Sequence, residues 1–140
     1  MEAVIYMNEV NSAIYSKLQA GTALTALLAG TTSIYNQQPP DNSTMPYVIF
    51  NLQGGGDENM TPSRMKSLVY FIRGYSKVSA GAAGSIDAQI DTILHGQSIS
   101  ASGWTNFWLN READFEQTEN LPNGEKAFMA GGFYRIRLDK

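Results

Sequence analysis

The stretch Ser33–Gln53, SIYNQQPPDNSTMPYVIFNLQ, places a polar, proline-containing segment directly before a hydrophobic run. Each proline removes a backbone donor and restricts the residue before it, so the segment with Pro39, Pro40 and Pro46 is predicted to be a loop. The run that begins at Tyr47 is β-branched and aromatic, which favours a strand. The letters SIYN predict a shorter strand ahead of the loop. A long, proline-containing segment therefore leads into the strand that begins at Tyr47.

Two short helices are predicted before this stretch. The apolar face of the first has three- and four-residue spacing: Met7, Val10, Ile14 and Leu18. Gly21 should end or bend that helix. The second helix is predicted to start with Thr22 as its N-cap and to stop at Gly30. Its apolar face is Leu24, Leu27 and Leu28.

A strand and a helix are predicted after Gln53. The polar, glycine-rich segment Gly54–Arg64 is predicted to be a long turn or flap. The run MKSLVYFIRGY, from Met65, is apolar on both alternating sets of residues, which indicates a central strand covered on both sides. Ser79 can cap a helix that Gly96 stops. The apolar positions of that helix are Ala83, Ile86, Ile90, Ile93 and Leu94.

The last third of the chain predicts a β-hairpin. Its first strand alternates Thr105, Phe107 and Leu109 against Trp104, Asn106 and Trp108. The Asn-Gly pair in LPNGEK is a turn signal, and we expect a second polar flap over Gln117–Lys126. In the closing strand, Tyr134, Ile136 and Leu138 oppose Arg135 and Arg137.

This order of elements predicts an α+β fold. Runs of neighbouring strands favour a mainly antiparallel, mixed sheet of about four to five strands flanked by helices over a doubly wound parallel sheet. The length of 140 residues suits a single domain over residues 1–140.

Composition narrows the possible functions. A hydrophobic fraction of 43% and a charged fraction of 16% suit a folded soluble protein. The net charge of −3 argues against long-range attraction to nucleic acid or anionic membranes. Cysteine is absent, which excludes disulfides and thiolate ligands. No stretch approaches the ~20 apolar residues that span a bilayer, so we expect no membrane partner and no cleaved leader.

No residue pattern predicts catalysis. The sole histidine, His95, lies where it can meet the negative end of a helix dipole, and this structural role is favoured over metal binding. Asp114, Glu116 and Glu119 could supply paired carboxylates, but they also suit a solvated strand end. The glycines at the start of the segment Gly54–Arg64 lack the lysine and the following helix of a phosphate-binding loop. A mobile interaction loop is the favoured interpretation.

The basic and aromatic residues near the C-terminus allow two interpretations each. Arg135 and Arg137, with Lys140, form either a basic stripe or a polar strand face, and the polar face is favoured. Trp104 and Trp108 are expected to be core or subunit-contact aromatics rather than a ligand cage.

Together, the helical start, SIYNQQPPDNSTMPYVIF, the apolar strand from Met65, the small-residue helix and the closing GFYRIRL resemble the tail completion and tail terminator proteins of long-tailed (siphovirus-type) bacteriophages. The Ile-Tyr strand, the proline loop and MPYVIF carry most of the likeness, whereas Gly54–Arg64 matches no family pattern. The resemblance implies a non-enzymatic virion protein, assembled in the host cytoplasm, without cofactor or metal. It implies a ring, commonly of six copies, that caps the tail tube and joins it to the head-side neck.

The implied partners are further copies of the chain, the major tail tube protein and the head-tail connector. Candidate interface residues are Pro39, Pro40, Pro46, Tyr47, Gly54, Gly55, Gly56, Asp57, Glu58, Pro122, Asn123 and Gly124. DNA is expected to pass through the ring without specific binding, because a bore rich in lysine and arginine would retain it. Candidate acids of the bore are Asp57, Glu58, Asp114 and Glu116.

Two alternatives remain. The chain could be another phage neck or minor tail protein of related fold. It could also be a small enzyme or ligand-binding α+β domain that uses Asp114, Glu116 and the glycines at positions 54 to 56.

Overall fold

The first and third of three helices pack against one face of a five-stranded sheet, and the short second helix packs against these two helices. The computed structural model describes residues 2–58 and 64–140, with side chains from residue 8 onward. The helices are α1 (Glu2–Gln19), α2 (Thr22–Thr25) and α3 (Ala80–Leu94). The strands are β1 (Ile34–Asn36), β2 (Tyr47–Asp57), β3 (Met65–Ser76), β4 (Thr105–Asn120) and β5 (Lys126–Asp139).

The strands follow the order β1-β2-β3-β5-β4 across the sheet. The pair β1–β2 is parallel, and the other three pairs are antiparallel. The chain makes the hairpin β2–β3, crosses the sheet through α3, and returns as the hairpin β4–β5. The α+β class, the mixed sheet and its strand count are therefore confirmed.

The core lies between the helices and one face of the sheet. In β3, Leu68, Tyr70 and Ile72 are each at most 2% exposed and point to this helix face. The Tyr70 hydroxyl donates a hydrogen bond of 2.6 Å to Asn11 of α1. Gly74 lets α3 approach the sheet closely, since a Cβ atom there would lie 2.3 Å from Ile86.

The opposite face of the sheet, called here the open face, differs from the prediction. Val69, Phe71 and Arg73 of β3 point to it and are partly exposed. The expectation that β3 is covered on both sides is wrong, because α1 and α3 pack on the same side of the sheet. The apolar residues of the open face instead shield one another, as described below.

The first and third helices match the sequence patterns. Val10, Ile14 and Leu18 of α1 are fully buried, whereas the side chain of Met7 lies outside the described residues. Ser79 caps α3 by accepting a 3.0 Å hydrogen bond from the Ala82 N–H. No described helix is long and apolar enough to cross a membrane.

The second helix is shorter than predicted. It ends at Thr25 rather than near Gly30, and its N-cap is Gly21 instead of Thr22, without a side-chain cap. Leu24 and Leu28 are buried as expected, but Leu27 is 40% exposed. A four-residue helix is too short to present all three leucines on one face.

The strand β4 breaks the predicted alternation. Register shifts occur between Asn106 and Trp108 and again between Arg111 and Ala113. The first shift places Leu109, 1% exposed, on the face of Asn106 rather than that of Phe107. A bulge adds one unpaired residue, so strict two-residue periodicity fails across it.

Part of each predicted flap is strand. Residues Gly54–Asp57 continue β2 and pair with Lys66–Val69 of β3, and Gly55 has a φ of 116° next to a register shift. Residues 59–63 of this flap lie outside the described residues. In the second flap, β4 runs to Asn120 and β5 begins at Lys126, which leaves a turn of residues 121–125. The backbone ladder holds these polar segments without help from buried side chains.

Candidate assembly surfaces

The outer edge of β4 is covered along its first half. The segment after α3 runs beside it, where Gly96 N–H donates to Leu109 O at 2.8 Å. The Arg111 N–H donates to His95 Nδ1 at 3.0 Å. His95 therefore has a structural role, which it fulfils by accepting a hydrogen bond from the edge of β4. From Glu112 to Asn120 every residue is exposed.

The outer edge of β2 is covered only at its start. The three residues of β1 pair with Val48–Phe50, so the edge of Asn51–Asp57 has no neighbour among the described strands. A surface depression of about 520 Å³ lies along this part of the edge. It is lined by Asn11, Asn36, Gln37, Asn51, Leu52 and Arg73.

The two hairpins turn at opposite ends of the sheet. The β2–β3 hairpin turns beyond the pair Asp57↔Lys66, at the end where β5 finishes. The β4–β5 hairpin turns near the pair Thr118↔Phe128, at the end where β3 finishes. The expected interface residues of the second turn, Pro122, Asn123 and Gly124, are all exposed.

The proline loop lies at the same end of the sheet as the β4–β5 turn, because Tyr47 pairs with Tyr75 near the end of β3. Pro40 is exposed, while Pro39 and Pro46 are partly exposed; the Met45–Pro46 peptide is cis.

Tyr47, by contrast, is only 9% exposed. Its ring centroid lies 5.8 Å from that of Tyr35 and 5.5 Å from that of Tyr75. Burial raises the pKa of the Tyr47 hydroxyl, and the neighbouring tyrosines add to this effect. Tyr47 thus orders the strand entry rather than presenting a free surface.

The acids expected in the bore separate into two groups. Asp57 accepts hydrogen bonds from Lys66 at 2.7 Å and Arg64 at 2.9 Å. The hydrogen bond from Lys66 is the main reason that the pKa of the Asp57 carboxyl is lowered, and the bond from Arg64 lowers it further. Partial desolvation acts in the opposite direction and raises this pKa. Glu58 accepts a bond of 2.9 Å from Arg137, on the open face. Asp57 is on the helix face.

Asp114 and Glu116 also lie on the helix face, but toward the other end of the sheet. They line one surface depression with Asp87, Arg111 and Phe115. Asp114 accepts a 2.7 Å bond from Arg111, so this carboxylate is neutralised by a neighbour. Within the described residues, no three acidic or histidine side chains form a group that could hold a metal ion.

Arg111 connects the edge strand to α3, a role that no local sequence pattern indicates. Its guanidinium donates to both carboxylate oxygens of Asp87, at 2.8 and 2.9 Å. It also donates to Gly131 O at 2.9 Å and the Tyr134 hydroxyl at 3.2 Å. Burial alone would lower the pKa of Arg111, but the hydrogen bonds and charge of Asp87, with those of Tyr134, raise it overall. This cluster fixes the covered half of β4 to the core.

Arg135 and Arg137 lie together on the open face, opposite the core residues of β5, as predicted. Arg135 donates to Glu112 at 3.1 Å and to Ser67 at 2.8 Å. Arg137 donates to Glu58, so both guanidinium charges have acidic partners within the chain. Lys140 does not extend this pair into a stripe, since its ammonium lies 5.0 Å from the Trp104 ring.

The open face also carries an aromatic cluster formed by Phe71, Phe115 and Phe133. The rings of Phe71 and Phe133 stack with centroids 4.7 Å apart, and the Phe115 ring meets Phe71 edge-on at 5.5 Å. The Arg73 guanidinium covers the Phe71 ring at 4.4 Å. Trp104 is buried at 8% exposure, which fits a core role. The three phenylalanines come from three strands, so no local pattern groups them.

A family model for tail completion protein gp17 matches residues 12–130 of the chain. The chain belongs to this tail completion family. The matched region begins in α1 and ends in β5 at residue 130, so it includes β1 to β4 and the first five residues of β5.

The fold of this tail completion protein is similar to that of a chain in the virion of a native gene transfer agent particle. The TM-score is 0.77 over 96% of this chain and 98% of that chain, with 18% sequence identity. No curated protein sequence matches the chain. Membership of this family makes the tail completion protein a structural protein of a phage tail, located in the virion.

Proposed function

We propose that the protein is a tail terminator: a closed ring, commonly of six copies, that ends the tail tube and joins it to the head-side connector. The supporting observation is the arrangement of the sheet. Its two long edges are partly uncovered and differ from each other, and its two hairpins turn at opposite ends. Closed rings require contacts between two different surfaces of each subunit, and unlike edges provide them.

The hairpin ends supply the contacts above and below the ring. If the strands run from one ring face toward the other, one turn meets the tail tube and the other meets the neck. Exposed polar turns change with little effect on a fold, which suits them to partner-specific contacts. Gly54–Arg64 and Gln117–Lys126 are therefore the proposed adaptors, and the exposed part of the proline loop contributes beside the second one.

DNA passes through this ring without specific binding. Six copies of a chain with net charge −3 form an assembly that repels a polyanion. The pairing of Arg135 with Glu112 and of Arg137 with Glu58 supports this, because those guanidinium groups are already neutralised. Acids and neutral polar side chains are proposed to line the bore, with Asp57, Glu58, Asp114 and Glu116 as candidates, and assembly takes place in the host cytoplasm.

A shortened β4–β5 hairpin tests the adaptor role. Deleting Glu119, Asn120, Lys126 and Ala127 removes two rungs of the ladder and leaves the register and the side-chain faces of the rest unchanged. We expect a folded protein that still forms rings, because residues 113–118 of the exposed β4 edge remain, but that fails to complete tails in a phage lacking its own copy. Val78→Ser is the control, since Val78 is 80% exposed at the same end of the sheet. Normal tail completion by the shortened protein would contradict the proposal.

A further inference from the structure

The second half of β4 presents a row of backbone groups that have no hydrogen-bond partner among the described residues. Leu121 N–H donates to Glu125 O at 2.8 Å, and the Arg111 N–H points outward to His95. Backbone groups alternate sides along a strand, and the register shift between Arg111 and Ala113 interrupts this alternation once, so the two contacts agree and fix the pattern from Ala113 onward. The residues whose N–H and C=O point away from β5 are Asp114, Glu116, Thr118 and Asn120.

The uncovered part of β2 presents a second such row. The Phe50 carbonyl points away from β3, since it accepts a 2.9 Å hydrogen bond from the Gln37 N–H. The Glu58 N–H points toward β3, since it donates to Met65 O at 2.7 Å. With the register shift before Gly54, the same alternation gives the outward-pointing residues. They are Leu52, Gly55 and Asp57.

We propose that the edge 113–120 of β4 in one copy pairs antiparallel with the edge 51–57 of β2 in the next copy, so that the sheet continues around the ring. This inference rests on the proposed ring and names the surface that closes it. Strands keep their direction when a copy is rotated about the ring axis, and β2 and β4 run antiparallel within one sheet, so β4 of one copy is also antiparallel to β2 of the next. Added strands bind chiefly through main-chain hydrogen bonds, which both rows offer.

The positions of the two rows agree with a closed ring. The middle of the edge 51–57 is level with Val69 of β3, and the middle of the edge 113–120 is level with Gly74 and Tyr75, so the two edges are offset by roughly 18 Å along the strands at ~3.3 Å per residue. The four long strands span roughly 19 Å at ~4.8 Å each. For copies related by rotation alone, the ratio of the roughly 18 Å offset to the roughly 19 Å width requires the strands to tilt by about 43° from the ring axis. This tilt is within the usual range of closed barrels.

Charge selects this pairing over a pairing of two β4 edges. The segment from Glu112 to Asn120 contains four acids and neither lysine nor arginine. Two such edges repel each other, which disfavours a symmetric dimer. The edge 51–57 of β2 instead contains a single acid, Asp57, whose charge is balanced by Lys66 and Arg64, so a β4 edge meets less negative charge there than at a second β4 edge.

The variant Thr118→Pro tests the pairing. Thr118 is exposed and its N–H points away from β5, so proline removes an outward donor and leaves the internal ladder intact. Thr118→Val keeps the donor and is the matched control. We expect the proline variant to lose rings, and the valine variant to keep them, in native mass spectrometry and negative-stain images of the purified protein. Circular dichroism should show that the proline and valine variants are both folded.

Hydrogen exchange of the wild-type protein gives a second test that needs no variant. The amides of Asp114, Glu116 and Thr118 should exchange at least tenfold more slowly in rings than in dissociated subunits. Rings that form normally with Thr118→Pro, or equally fast exchange of these amides in both states, would overturn the pairing and leave the terminator function standing. A wild-type protein that stays monomeric at high micromolar concentration and forms no ring on tail ends would overturn both.

Discussion

Replacing Arg111 by methionine should cost about 3 kcal/mol of folding free energy. The Arg111 side chain is 14% exposed and that of Asp87 is 18% exposed. Methionine keeps the apolar stem but leaves the Asp87 carboxylate and the Gly131 carbonyl without their donor. Removing one partner of a buried ion pair costs about 3–5 kcal/mol, and the remaining solvent access places this case at the lower end.

The same loss should appear as a shift in melting temperature. An unfolding entropy of about 2.1 cal/mol/K per residue gives roughly 0.3 kcal/mol/K for a chain of 140 residues. The expected decrease is therefore about 10 °C, measured by thermal and urea unfolding with tryptophan fluorescence.

Arg135→Met is the matched control, because it removes an ion pair whose Glu112 partner is 45% exposed. It should cost less than about 1 kcal/mol. Adding Asp87→Leu to Arg111→Met should recover part of the loss, since the second change removes the unpaired carboxylate. Equal losses for Arg111→Met and Arg135→Met would refute the role given to the buried ion pair.

Three further changes test the fold. Asp57→Asn should lower stability near neutral pH, because the Lys66 contact lowers the pKa of the folded-state carboxyl; the difference should vanish as pH falls through that lowered pKa, in urea titrations across acidic pH. Gly74→Ala should cost about 1–3 kcal/mol, as its Cβ atom would overlap Ile86, and an unchanged melting temperature would contradict that packing. Burial raises the pKa of the Tyr70 hydroxyl, so stability should fall above about pH 10 as the unfolded chain ionises first, and Tyr70→Phe should reduce that fall.

The parts of the fold that follow local periodicity were predictable. The apolar spacing in α1 and α3 gives buried faces in the structure, and the Ser79 cap is where the sequence places it. The alternation of Tyr134 and Ile136 against Arg135 likewise matches burial in β5. In these elements one face is apolar and the other polar, so burial and pattern agree.

The parts that depend on pairing were not predictable. The glycines at 54 to 56 look like a loop, yet they extend β2 because the ladder needs no side chains. The β4 bulges shift alternation without a residue type that marks them. The apolar residues on both faces of β3 suggested two covering layers, but the second layer is the aromatic cluster contributed by neighbouring strands.

The candidate site was predictable in outline. Polarity and turn residues identify the exposed β4–β5 turn correctly, while Tyr47 is buried by two tyrosines from other strands. The role of Arg111 depends on Asp87, which lies 24 residues away and on another element. Sequence spacing carries no information about such a contact, because the crossover through α3 creates it.

Cryo-electron microscopy of the head-side end of wild-type tails tests the central claim most directly. We expect a closed ring of this chain at the end of the tube, with the two hairpin turns on opposite ring faces and β4 of each copy beside β2 of the next. A tail end in which this chain forms no ring, or sits as isolated copies on the side of the tube, would contradict it.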